Sequence, residues 1–137
     1  MTNLISRLDS ENVSLIIIKD GKVLFSNEEG GMKPLIKAVR MFSSNELIDT
    51  VVIDRIVGKA SALIIAFFGA KEVHGKVMSL RGRELLKKQR IKINYEKLVP
   101  EILNRSETDI CPFEKAVFKI EEPEVGYKTI VMMIENK

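Results

Sequence analysis

The feature that most constrains this chain is the stretch from Thr50 to Ala70, in which a short β-branched run is followed by a long apolar one. Val51 to Ile53 suits a central strand covered on both faces. From Ala60 to Phe68 the only polar side chain is Ser61. A helix that is apolar all round must lie inside the protein, so the stretch predicts a buried strand, a short polar turn and a buried helix in a layered α/β domain. The polar residues gather at the junction, where Asp54, Arg55, Gly58, Lys59 and Ser61 fall at the strand's carboxyl end and in the first helical turn. Open α/β sheets bind their ligands at that end of the strands.

The flanking chain supplies partners for this unit. Thr2 to Asp9 reads as a short amphipathic helix with Thr2 as its cap. Val13 to Ile18 and Lys22 to Ser26 flank Asp20-Gly21, a strong hairpin signal that predicts two adjacent antiparallel strands. Glu28 to Met32 is a flexible acidic loop, and Pro34 starts a helix that carries Leu35, Ile36, Val39 and Phe42 inward. After the apolar helix come a strand over 71–79, a basic helix over about 81–89, and an alternating strand over 91–95. Val99 to Asn104 reads as a turn of helix and 105–110 as a polar loop. Cys111-Pro112 opens a helix to about Lys119. Glu122 to Asn136 reads as a last helix, although Thr129 to Met133 also suits a strand.

A chain of 137 residues is treated as one domain, 1–137, large enough to bury a core without metals or disulfides. The single cysteine excludes an internal disulfide and a four-cysteine zinc site, and suits a reducing cytoplasm. No signal peptide is read at the N-terminus. The apolar run from Ile56 to Ala70 is broken by Lys59 and is shorter than the roughly 20 residues of a bilayer span, so no membrane partner is expected. With 22 basic residues against 19 acidic ones, a nucleic-acid partner is allowed but not demanded.

The order of elements, with strands alternating with helices behind an initial hairpin, is similar to the cytidine deaminase-like fold. Val52-x-Asp54-x-x-Val57-Gly58-Lys59-Ala60-x-Ala62, together with Asn104-Arg105 and Cys111-Pro112-x-Glu114-x-Ala116-Val117, resembles a small prokaryotic family of unknown function. That family is regarded as a divergent branch of the deaminase-like superfamily. The resemblance implies a three-layer α/β/α domain on a mixed sheet of about five strands and, in the manner of such folds, a homo-oligomer.

Zinc deaminases hold the metal with a His or Cys and two Cys, and shuttle protons with a Glu, in the pattern H-x-E followed by P-C-x-x-C. Element order puts Gly58-Lys59-Ala60 where H-x-E belongs, and Ser79-Leu80-Arg81-Gly82-Arg83 where P-C-x-x-C belongs. The chain contains one His and one Cys, too few soft ligands for that centre. Neither a metal nor any other cofactor is therefore expected. His74 reads as an edge or surface histidine.

Gly58 and Lys59 place backbone N–H groups, a helix dipole and an ammonium together, a spot that favours phosphate or carboxylate. The full phosphate-binding loop is absent, since Ile53 and Ala60 stand where its first glycine and its hydroxyl are needed. The bland alternative is that Lys59 pairs with Asp54. Cys111 reads as a helix cap with Glu114 in the capping-box position, which is favoured over a nucleophilic role. Arg81-Gly82-Arg83 and Lys87-Lys88-Gln89-Arg90 form a basic cluster without aromatic residues, which favours a solvated helix face over a nucleic-acid platform.

The function expected from these residues is binding of a nucleotide- or nucleoside-like ligand in a diverged, metal-free crevice. Lys59 and Arg81 would take anionic groups, and Asp54 and Ser79 would take hydroxyls or base edges. Gly58 supplies amides, and the candidate catalytic residues are Cys111 and Glu114, the latter read as a first-turn helix residue in preference to a general base. The alternatives are a metal-independent enzyme with Cys111 or Lys59 as nucleophile, and an interaction module acting through Arg81 to Arg90.

Overall fold

The structure, a computed structural model, describes residues 3–136. Helix α1 (Ser6–Ser10) precedes the hairpin of β1 (Leu15–Lys19) and β2 (Lys22–Asn27); the Thr2 cap lies outside the described residues. Asp20 and Gly21 both have positive φ, 50° and 78°, as the tight turn of such a hairpin requires. Helices α2 (Lys33–Met41) and α3 (Ser44–Leu47) lead to the organising unit, β3 (Val51–Val57) and α4 (Lys59–Phe67). Then follow β4 (Glu72–Ser79), α5 (Leu80–Lys88), β5 (Lys92–Val99), α6 (Pro112–Ala116) and α7 (Pro123–Glu135).

The five strands form one mixed sheet in the order β2-β1-β3-β4-β5, antiparallel at β2/β1 and β1/β3 and parallel at β3/β4 and β4/β5. Alternate residues of a strand face opposite ways. Leu15, Ile17 and Val52 accordingly enter the main core with α2, α4, α5 and α7, whereas Ile16 and Ile53 join Ile5 and Leu8 of the α1 segment in a smaller one. Helices therefore flank both faces, but α1 alone makes the second helical layer among the described residues. Helix α4 is buried from Lys59 to Ile65, as its composition demands. No helix among the described residues is long and apolar enough to cross a membrane.

Four local expectations are corrected. Strand β3 does not give way to a polar turn at Asp54 but continues to Val57, because its pairing with β4 persists through Ile56↔Val77 and Val57↔Met78. Its polar residues are tolerated there for tertiary reasons. The Arg55 guanidinium bonds Asp9 and the carbonyls of Leu8 and Val13 at 2.8–3.0 Å, pinning the α1 segment to the sheet. Helix α3 adds an element to the expected order and is held by a capping box, in which Ser43 accepts from the Glu46 amide and Glu46 accepts from the Ser43 amide. Residues 99–104 are not helical: β5 runs to Val99, and Leu103 bridges Ile110 across the next loop. Helix α6 ends at Ala116 rather than near Lys119. The segment that suited either a helix or a strand is the helix α7.

Two glycines set the distances between layers. A Cβ on Gly126 of α7 would lie 2.7 Å from Leu63 Cδ1 of α4. A Cβ on Gly82 of α5 would lie 2.8 Å from the Val57 carbonyl oxygen and 2.9 Å from the Gly58 carbonyl carbon. The second contact is with backbone, which cannot swing aside, so Gly82→Ala is expected to push α5 off the β3–α4 junction at a cost of about 2 kcal/mol. Urea denaturation measures that loss, and a midpoint unchanged from wild type would show that the approach is not tight.

Candidate functional site

Helix α4 begins at the end of a central strand, with Gly58 as its N-cap and no side-chain bond from that residue. Its first amides are nevertheless satisfied. The N–H groups of Lys59 and Ala60 each donate to one oxygen of the Glu114 carboxylate, at 2.8 Å. Glu114 is 6% exposed, and burial is the main influence raising its pKa, opposed by those two hydrogen bonds. Gly58 makes the cradle possible, since a Cβ there would sit 2.5 Å from a Glu114 oxygen. The capping box expected at α6 is therefore replaced by a longer-range contact. Cys111 caps α6 without a side-chain bond, and Glu114 reaches 55 positions back along the chain. Two convergent amides at the positive end of a buried helix offer the carboxylate more than its own first turn can.

Lys59 is buried at 5% exposure, and its ammonium donates to the Phe118 carbonyl at 2.9 Å and pairs with Glu121 at 2.5 Å. It does not pair with Asp54. The anion-favouring spot read at Gly58-Lys59 is thus filled from within the chain, its amides by Glu114 and its ammonium by Glu121.

The expected site residues separate into two clefts. Asp54, Gly58, Cys111 and Glu114 line a cleft of about 660 Å³, joined by Asn104 and Arg105. Lys59 and Arg81 line another of about 600 Å³, between α5 and the segment that follows β5. Arg81 lies over the Phe118 ring, 4.0 Å from its centroid, and 3.4 Å from Glu101. Ser79 lines neither: it is 1% exposed and caps α5 by accepting from the Gly82 amide at 2.9 Å. The basic stretch is largely paired, with Arg83 bonded to Tyr95 and Glu84 and Lys88 to Glu121, so its charges do not form one free face.

Asp54 is the unusual group of the larger cleft. Burial pushes its carboxyl up to about 7 from an ordinary 3.8, and the neighbouring amides of Arg55 and Ile56 and the Arg55 charge only partly oppose this. The two cations nearest in sequence are committed elsewhere, Arg55 to the α1 segment and Lys59 to Glu121. Around the carboxyl the walls are largely apolar, with Leu15, Met32, Leu35 and Phe113 among them.

Glu121 and Phe118, which hold Lys59 and Arg81, were not singled out from sequence, and no local signal marks them because both contacts cross from one element to another. Asn104-Arg105 stood in the family-like motif, and the structure brings both to the Asp54 cleft.

A deaminase zinc centre does not fit these residues. The two helix starts where its motifs belong do meet, through Gly82 against Gly58, but they bring Gly58, Lys59 and Ala60 to Ser79, Leu80 and Arg81. His74 lies on β4 and hydrogen-bonds Glu72 and Asn94. Among the described residues no three His, Cys, Asp or Glu side chains gather to hold a metal ion.

Sheet order, helix placement and cleft together define an α/β domain with a ligand-sized cavity beside the start of its central helix. The chain belongs to the DUF1893 family, a domain of unknown function, whose pattern matches residues 3–134. It is similar to the crystal structure of a DUF1893 family protein (TM1506) from Thermotoga maritima, with 25% identity over 94% of this chain and 86% of that one and a TM-score of 0.83. It is also similar to a diaminohydroxyphosphoribosylaminopyrimidine deaminase/5-amino-6-(5-phosphoribosylamino)uracil reductase from the same organism. There the TM-score is 0.50 at 16% identity, over 77% of this chain and 34% of that one, a likeness of fold alone. No curated protein matches the chain.

Proposed function

We propose that the Asp54 cleft binds a nucleoside- or nucleotide-like small molecule without zinc chemistry, in a family that diverged from the deaminase-like superfamily. The observation that carries this reading is Asp54 itself. A carboxyl on a central strand faces a 660 Å³ cavity while its neighbouring cations point elsewhere. A carboxyl in a cleft that burial pushes out of its ordinary range, with no ion-pair partner among the described residues, is a candidate functional group. The volume lies within the range of small-molecule sites, and apolar walls with a few polar groups are their usual composition. The deaminase/reductase of similar fold carries a pyrimidine deaminase in its name, which supports the heterocyclic class of ligand.

Native mass spectrometry of the purified protein, followed by thermal unfolding with nucleosides and nucleotides, tests the reading. At a hundredfold excess over Kd a ligand stabilises by about 2.7 kcal/mol, which raises Tm by several degrees. The same ligand is expected to shield Cys111, in the wall of this cleft, from a thiol reagent. If no member of the panel shifts Tm at millimolar concentration and no mass co-purifies, the reading is withdrawn.

A further inference from the structure

We infer that the ligand of this cleft presents two adjacent N–H donors to Asp54, the edge carried by a 2-amino-oxo heterocycle of guanine type or by a guanidinium, and that phosphate is excluded from the cleft floor. The inference rests on the reading of the cleft as a nucleoside site and narrows it.

Three observations point the same way. First, the amides that would cradle a phosphate at the start of α4 are occupied by Glu114, whose carboxylate lines this same cleft. An anion arriving there would meet a negative charge in place of free donors. Second, the positive side chains expected to receive it are turned away. Lys59 and Arg81 open on the other cleft, and the Arg55 guanidinium is bound to the α1 segment; Arg105 does line this cleft, but from the exposed loop after β5 and not from the start of α4 that forms the floor. Third, the polar side chain on the central strand that faces the cavity is a carboxyl. When ionised it accepts at both oxygens and offers no donor, and its strongest neutral or cationic partner is a parallel pair of N–H groups. Such a pair also adds to the backbone amides of Arg55 and Ile56, which only partly offset the burial of Asp54. An edge of acceptors, or of one donor beside one acceptor, leaves a carboxylate oxygen desolvated and unpaired.

Guanosine and inosine make the matched pair, because they differ only in the 2-amino group. Isothermal titration of the full chain with guanosine, inosine and aminoguanidine, with inorganic phosphate as competitor, is expected to give guanosine an advantage over inosine of about tenfold or more. Asp54→Asn, which keeps the shape of the side chain, is expected to shrink that advantage to about twofold, and phosphate is expected not to compete. Equal affinity for the two nucleosides, or a preference that survives in Asp54→Asn, overturns the inference and leaves the nucleoside reading standing. Competition by phosphate overturns its second half. Binding of aminoguanidine without either nucleoside upholds the donor pair and removes the nucleoside reading. No binding by any of the three overturns both.

Discussion

Asp54→Asn is expected to make the protein more stable above pH 7, by about 3–4 kcal/mol, and to remove a decline in stability that the wild type shows between pH 4 and pH 7. The carboxyl has an ordinary value of 3.8 and is raised to about 7 in the folded chain. Between those values the folded state holds a proton that the unfolded state has released, so unfolding becomes easier as pH rises, and the loss is complete once the folded carboxyl ionises. Below pH 4 both states are protonated, so stability no longer changes with pH through this group. Asparagine has the same shape and no charge to bury. Urea unfolding at pH 5 and pH 8 reads the effect as a difference between variant and wild type. Glu114 is also raised, and Asp9, Asp109 and Glu121 are lowered, but all of them are common to both proteins. Parallel pH profiles would show that Asp54 ionises freely and that its cleft is wet. A gain in stability with a loss of ligand is the trade expected of a residue kept for binding.

Glu114→Ala is expected to cost about 3–4 kcal/mol, the largest single loss foreseen for a residue in the cleft wall. It leaves two buried amides at the start of α4 without acceptors, removes a negative charge from the positive end of the helix and opens a void. Glu114→Gln is expected to lose nearly as much, because its amide nitrogen would point a donor at a donor. Gly58→Ala tests the same contact from the other side, since the added methyl would displace the carboxylate. The two alanine substitutions are expected to be strongly non-additive: once Glu114 is truncated, the methyl at position 58 has room. Denaturant titration of both single variants and the double variant measures the coupling. Losses that simply add would mean that Gly58 and Glu114 act independently and that the carboxylate is not the true cap.

The two results together separate the roles of two acids on one cavity. Glu114 spends its charge on the fold, bonded to amides of its own chain. Asp54 is expected to weaken the fold when ionised, and among the described residues it has the neighbouring amides of Arg55 and Ile56 but no ion-pair partner. That contrast, rather than the presence of acids as such, is what the proposed role of Asp54 in recognition rests on.

Much of this was legible from residue patterns because the physics involved is local. Asp20-Gly21 permits the positive φ of a tight turn, the apolar run from Ala60 to Phe68 can only be buried, and Pro34 and Pro112 sit at helix starts where proline costs no hydrogen bond. The mixed sheet, and the placing of a cleft beside the start of α4, follow from those elements in their order. Other features depend on contacts between distant segments. Strand β3 runs through Asp54-Arg55-Ile56, although the polarity of that stretch reads as a turn, because β4 supplies its hydrogen bonds and α1 receives Arg55. Asp54 and Lys59, five positions apart, open on different clefts, because one projects from a strand and the other starts a helix whose first turn faces Glu121. The chain by itself determined that an anion-favouring helix start would exist at Gly58-Lys59. Only the tertiary structure decided that Glu114 of the same molecule would occupy it, since periodicity records which faces are buried and says nothing about which distant charge will arrive to meet them.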